Sequence, residues 1–260
     1  MGQGMSEPML RVDKLVKRFG AFAATDGASL VVKAGSLHAL IGPNGAGKTT
    51  LIHQISGALK PDAGHVHFDG QDITRLPMHQ RARRGLLRSY QITSIFSQLS
   101  VLDNLALAVQ AASGSSMRFW RPARSEALRY EEAAAVAERV GLGAQLQLTG
   151  AALSHGQQRQ LELGLVLAAK PRLLLLDEPL AGMGPDESAR MVALLQSLRG
   201  EQTTLLVEHD MDAVFKLADT VSVLVFGKVI ATGTAAEIKA NAEVRRAYLG
   251  EEAATEKAAA

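Results

Sequence analysis

The sequence predicts an α/β protein built on a mostly parallel sheet with helices packed on its faces. Three observations carry that reading. In "RLLLLDEP", Leu173 to Leu176 follow a helix-like segment stopped by Pro171, and an unbroken apolar run of that length marks a strand covered on both faces. "TTLLVEHD", from Thr203, repeats the pattern. Between "SLHALIG" and the residues after Gly47 the period changes: Leu51, Ile52, Ile55, Ala58 and Leu59 share one helical face, so strand, glycine-rich loop and helix follow in order.

The remaining elements fall around this core. Residues 1–9 and the tail 251–260, "EEAATEKAAA", read as unstructured ends, leaving one domain over 10–250. "LRVDKLV" and "ASLVVK" are strand-like, and "HVHFDGQDI" resumes that character, which gives an N-terminal antiparallel β-subdomain. "KPDAG" is expected to end the first helix. Residues 91–150 are rich in Ala, Leu and Glu and read as a helical subdomain, with "SGSSMRFWRP", which contains Trp120, as an exposed loop. "LSHGQQRQLELGLVLAAKP" is a further helix. "GPDESARMVALLQSLRG" is another, with Pro185 suited to N1, Asp186 and Glu187 in the first turn and Gly200 past the end. "VSVLVFGKVIATG" reads as a hairpin. No internal repeat and no sustained heptads interrupt this plan.

Bulk properties exclude several classes. A chain of 260 residues can bury a core without staples, and with no cysteine it forms neither a disulfide framework nor a cysteine-ligated metal site. No apolar run reaches the length needed to cross a bilayer, and "MGQGMSEPML" lacks the basic and then apolar segments of a signal peptide. A net charge of +2 gives no argument for a nucleic-acid partner.

The richest stretch is the loop Gly42, Pro43, Asn44, Gly45, Ala46, Gly47, followed by Lys48, Thr49 and Thr50. It satisfies G-x-x-x-x-G-K-[ST] between a strand and a helix, the context that pattern requires. Glycines let backbone N–H groups approach phosphate oxygens, and the helix beginning near Lys48 adds its positive dipole end. The expected ligands are ATP and Mg²⁺: Lys48 on the β- and γ-phosphates, the Thr49 hydroxyl on the metal. Thr50 either touches the α-phosphate or simply begins the helix.

Ligands of open parallel sheets sit beyond the carboxyl ends of the strands. Three strands here end in candidate chemistry: Ile41 leads into the phosphate loop, Leu176 into Asp177 and Glu178, Val207 into Glu208 and His209. Asp177 is placed to hold magnesium through its water shell. Glu178, projecting to the other side of the strand, is the expected general base for water attacking the γ-phosphate. His209 is the expected γ-phosphate sensor. His65 and His67 share one strand face and read as a solvated face rather than a metal site. Arg75, Arg81, Arg83, Arg84 and Arg88 read as a solvated, ion-paired surface, with contact to anionic lipid headgroups or a membrane subunit as the alternative.

Ser154 and Gln157 in "LSHGQQ" have capping-box spacing. On the residues alone this fits both a well-capped helix and, with Gly156, a second anion receptor. Taken in order, the phosphate loop, Gln91, "LSHGQ", "LLLLDEP" and His209 resemble the ATP-binding-cassette ATPases from Leu10 to Gly250. The resemblance implies a phosphate-loop NTPase core and a head-to-tail homodimer or heterodimer in which Ser154, Gly156 and Gln157 meet the partner's nucleotide. It also implies that Gln91 meets Mg²⁺ and that Phe19 stacks on adenine. His155 stands where the family's signature has its first glycine, and Gly184 where an acidic or amide residue is more common. "RSYQITSIFSQLSVLDNL", "DEPLAGMGP" and "EIKANAEVRRAYLGEE" look most similar to ATPase subunits of bacterial branched-chain amino-acid importers. That implies a peripheral subunit on the cytoplasmic face of the cell membrane, bound to integral-membrane permease subunits and served indirectly by a periplasmic solute-binding protein, with no nucleic acid. Lipopolysaccharide-export ATPases and non-transport clamp proteins are the alternatives.

Overall fold

The computed structural model describes residues 8–89, 95–112 and 123–247. Tyr90, Gln91 and Trp120 lie outside the described residues. The chain opens with β1 (Leu10–Phe19) and β2 (Phe22–Val32), an antiparallel hairpin, then β3 (Leu37–Ile41), whose five residues are all buried. Helix α1 (Lys48–Ser56) follows the glycine loop. β4 (Ala63–Phe68) and β5 (Gln71–Asp72) complete a four-stranded antiparallel sheet in the order β2-β1-β4-β5. Helix α2 (Met78–Arg83) then leads to β6 (Leu86–Arg88).

The helical subdomain contributes α3 (Val101–Ala112) and α4 (Ala123–Arg139). After it come α5 (His155–Ala168), β7 (Leu173–Asp177), α6 (Pro185–Ser197) and β8 (Thr203–Val207), with every residue of β7 and β8 buried, as their unbroken apolar runs predict. Helix α7 (Met211–Leu217), the hairpin β9 (Thr220–Val225) and β10 (Lys228–Gly233), and α8 (Ala235–Ala240) complete the described fold. The second sheet runs β10-β9-β3-β8-β7-β6; all its pairs are parallel except the β9–β10 edge. The predicted mixture of a mainly parallel core, an antiparallel subdomain and a helical subdomain is therefore present.

Two expectations need correction. Helix α1 ends at Ser56 rather than at "KPDAG", so Ala58 and Leu59 do not belong to its face. Gly57 adopts the left-handed conformation (φ 83°) that terminates helices cheaply. The Arg81 guanidinium donates from Nη1 to the freed carbonyls of Gln54 and Ile55, at 2.8 and 2.7 Å, while Nε and Nη2 take Leu76 O and Thr74 O. A Cβ on residue 57 would lie 2.8 Å from Arg81 Nε. Arg81 is only 1% exposed and Arg88 is ion-paired inside the fold, so the solvated-surface reading holds for Arg75, Arg83 and Arg84 but fails for these two. His65 and His67 pair with Asp72 and Asp13, and among the described residues no group of three such side chains could hold a metal.

His38, in the centre of the parallel sheet, bonds Ser222 Oγ through Nε2 at 2.8 Å, and Ser222 Oγ in turn meets Thr232 Oγ1 at 2.7 Å. Burial lowers its pKa from 6.5 to about 4.

Replacing Arg81 by Met should cost about 3 kcal/mol in urea unfolding, because two buried and two half-buried carbonyls lose a donor, and Lys should restore only part of it for want of the planar fork. For His38 the unfolded chain takes up a proton that the folded state refuses. Stability is therefore full above pH 6.5 and falls as pH drops toward 4, by about 3 kcal/mol from this group. Denaturation of His38→Gln at pH 7 and pH 5 should show a correspondingly flatter acid limb.

Candidate functional site

The glycines of the phosphate loop answer to the protein before they answer to a ligand. A Cβ on Gly42 would sit 2.1 Å from Leu224 O of β9, and one on Gly47 would sit 2.0 Å from Ala24 O of β2. At both positions the backbone also has positive φ, 155° and 103°. Gly45 differs: its Cβ would meet nothing within 4 Å, and only its φ of 77° favours glycine. The loop is pinned further by Gly227 N–H donating to Ala46 O at 2.9 Å and Ala46 N–H to Pro43 O at 3.2 Å. Sequence reasoning assigned all three glycines to phosphate access, whereas two of them are required by backbone-to-backbone packing.

Among the described residues, the amides of Gly45, Gly47 and Thr49 donate to no protein acceptor. Three N–H groups at one helix start form a concavity for an anion. Lys48 is buried and its Nζ donates to Gly42 O at 2.5 Å and Pro43 O at 2.9 Å, so the ammonium is held over the same loop. The Thr49 side chain is exposed and Thr50 half-buried.

The neighbouring strands bring the second group of side chains to the same sheet edge. β3 and β7 both pair with β8: Leu40 lies opposite Val207, and so does Asp177. Asp177, the last residue of β7, is 6% exposed and accepts from Arg88 Nη2 at 2.7 Å. His53, on α1, feels this pair: burial lowers its pKa first, Arg88 adds to that and Asp177 opposes it. Glu178 lies past the strand in the left-handed conformation (φ 49°), its N–H bonded to Val207 O at 2.8 Å. Its direction comes from this turn and not from strand alternation. His209 is exposed, with Nδ1 3.9 Å from Glu178 Oε1 and 3.6 Å from Glu208 Oε2.

Glu208 was given no role by the sequence, yet it is fully buried. Its Oε1 accepts from Leu180 N–H and its Oε2 from His209 N–H, both at 2.9 Å. One carboxylate thus ties the segment after Glu178 to the segment carrying His209. The available signal was an acidic residue ending a buried strand.

Ser154 caps α5 with both halves of the capping box: Gln157 N–H donates to Ser154 Oγ at 3.3 Å, and Ser154 N–H to Gln157 Oε1 at 2.9 Å. His155 is exposed and lies beside Gly182, where a Cβ would come within 3.5 Å of its Cε1. Gly184 is the N-cap of α6 and offers no capping side chain. Phe19 is 53% exposed at the end of β1, opposite Phe22, with Lys17 Nζ 5.8 Å from its ring centroid; it is not a core ring. Gln91 falls outside the described residues.

The family described as "ABC transporter" matches residues 25–181, and the chain belongs to it: this is an ATP-binding and ATP-hydrolysing subunit of that class. A second family, described as "Branched-chain amino acid ATP-binding cassette transporter", matches residues 228–254. Among individual proteins, the chain is 39% identical to the high-affinity branched-chain amino acid transport ATP-binding protein BraF of Pseudomonas aeruginosa, over 95% of this chain and 100% of that one. It is 33% identical to the lipopolysaccharide export system ATP-binding protein LptB of Haemophilus influenzae, over 94% and 98%. Of solved structures, the ADP conformation of MJ1267, an ATP-binding cassette of an ABC transporter, superposes with a TM-score of 0.81 at 30% identity, covering 94% of this chain and all of that one. Among the described residues no helix is long and apolar enough to cross a membrane.

Alanine substitutions should separate the loop glycines. Gly42→Ala and Gly47→Ala should each lower unfolding free energy by more than about 3 kcal/mol, since a carbonyl must move, while Gly45→Ala should cost about 1 kcal/mol for its φ alone. Urea titration of the three variants reads the ranking.

Proposed function

We propose that this chain powers import of branched-chain or related amino acids through separate membrane subunits, as one of two cassettes in a homodimer or heterodimer. The observation that carries the substrate class is the match of the C-terminal segment 228–254 to the branched-chain amino-acid cassette family. The 39% identity to BraF over nearly the whole chain supports it. A peripheral position on the cytoplasmic face of the cell membrane, against integral permease subunits and fed indirectly by a periplasmic solute-binding protein, belongs to the same reading. The lipopolysaccharide-export alternative rests on the 33% identity to LptB.

The residues fit their ligands chemically. Asp177 is a buried carboxylate already matched to a cation, the Arg88 guanidinium. The free amides of the phosphate loop offer donors to an anion. The Gly156 amide and Ser154 hydroxyl already hold a carboxylate, that of Glu187. Magnesium, when bound, neutralises charge on the β- and γ-phosphates. In this reading Thr49, Asp177 and Gln91 hold the metal. The loop Gly42, Pro43, Asn44, Gly45, Ala46 and Gly47, with Lys48, Thr49 and Thr50, orients the phosphates, its free N–H groups and the Lys48 ammonium serving as donors. Phe19 offers an exposed ring to the adenine. Ser154, Gly156 and Gln157 receive the nucleotide of the second cassette.

Glu178 takes the proton of the attacking water as its oxygen bonds the γ-phosphorus and the bond to ADP breaks. His209, beside Glu178, faces the same phosphate and senses its presence. The buried Glu208 keeps the two segments in register.

Glu178→Gln should reduce turnover by roughly 10²–10⁴ while leaving ATP affinity intact. Normal hydrolysis by that variant would remove Glu178 as the base. In vesicles containing the membrane subunits, ATPase stimulated by a branched-chain amino acid with its binding protein supports import; stimulation by lipopolysaccharide instead would assign the export reading.

A further inference from the structure

Glu187, in the first turn of α6, has no part in the chemistry above, yet its carboxylate lies on the signature donors. Oε1 accepts from the Ser154 hydroxyl and from the Gly156 amide, each at 3.1 Å. A Cβ on Gly156 would come 2.6 Å from Glu187 Cδ, so only bare backbone allows the approach. The carboxyl is held below its ordinary range, first by the Gly156 amide and then by Ser154, with the Gly184 amide and His155 contributing further. One carboxylate thus joins the N-terminus of α5 to the first turn of α6, where a helix dipole favours negative charge.

A carboxylate and a phosphate ask for the same partners: amide and hydroxyl donors at a helix start. They cannot both have them, because two anions within hydrogen-bond distance of one N–H repel. We propose that Glu187 is a built-in competitor for the second cassette's nucleotide: in the lone subunit its carboxylate fills the anion cradle of α5, and it must turn away before a nucleotide phosphate can enter between two subunits. The inference rests on the dimeric reading above. It adds a residue that sets how readily the nucleotide sandwich closes. Because Glu187 sits in the first turn of α6, two residues after Pro185, vacating the cradle frees the start of α6 as well.

The test uses the full chain with Glu178→Gln, so that ATP persists, and measures the dimer dissociation constant in MgATP by analytical ultracentrifugation. Adding Glu187→Ala should tighten the dimer by about tenfold, and Glu187→Gln, which keeps the shape but not the charge, should shift it in the same direction by less. Unchanged or weaker association in both variants would overturn the proposal. Because Ala could loosen the helix starts, the Gln variant decides if Ala unfolds early. Hydrogen exchange supplies a second readout in the nucleotide-free protein: the Gly156 amide should exchange at least about tenfold faster in Glu187→Ala. An unaltered rate would mean that the contact does not hold the cradle. If the Glu178→Gln parent forms no dimer at any MgATP concentration, the dimeric reading itself fails and takes this inference with it. A parent that dimerises with variants no tighter removes Glu187 alone.

Discussion

Two peptide carbonyls press on the phosphate loop where only glycine leaves room for them. Leu224 O reaches Gly42 from the parallel sheet, and Ala24 O reaches Gly47 from the antiparallel one. The loop is therefore the joint between two sheets as well as the start of α1, and Gly227, bonded to Ala46 O, closes the joint from the β9–β10 hairpin. At its far end α1 is held by Arg81, which takes its last carbonyls. A helix fixed at both ends presents its first amides in one orientation, and donors that need not reorganise are what stabilise developing charge most effectively.

The side chains opposite the loop are positioned by an equally local device. Glu208 sits at the end of a strand with all five residues buried, and its two oxygens gather the amides of Leu180 and His209. Burying a carboxyl group there is tolerated because backbone donors meet both of its oxygens. Glu178 gains its direction from a left-handed turn that a non-glycine residue adopts at some cost. Strain of this kind persists where the surroundings over-determine the backbone, and the Glu178 amide bonded to Val207 O supplies that constraint.

Much of this was legible before any coordinates. Leu173 to Leu176 and the "TTLLV" strand announced themselves because burial on both faces leaves no polar alternation. The capping box at Ser154 and Gln157 was visible because its geometry is local, three residues along one helix. Long-range closeness was not legible. Nothing in the chain marks Arg81 as the cap of a helix it follows by more than twenty residues, or Arg88 as the partner of Asp177, since arginines in a run read as surface. The reason for Gly42 and Gly47 was also hidden: phosphate access and backbone packing call for the same residue, and only the positions of Leu224 and Ala24 separate them. Glu187 looked like a favourable first-turn acid, which it is, but its second attachment to α5 depends on how two helix starts meet.

The ion pair between Arg88 and Asp177 carries one more implication. A carboxylate with its side chain 3% exposed would be severely destabilised if left bare, but here a guanidinium already neutralises it. In the proposed reading, a metal held at Asp177 meets a carboxylate that already has a cationic partner, not a naked charge.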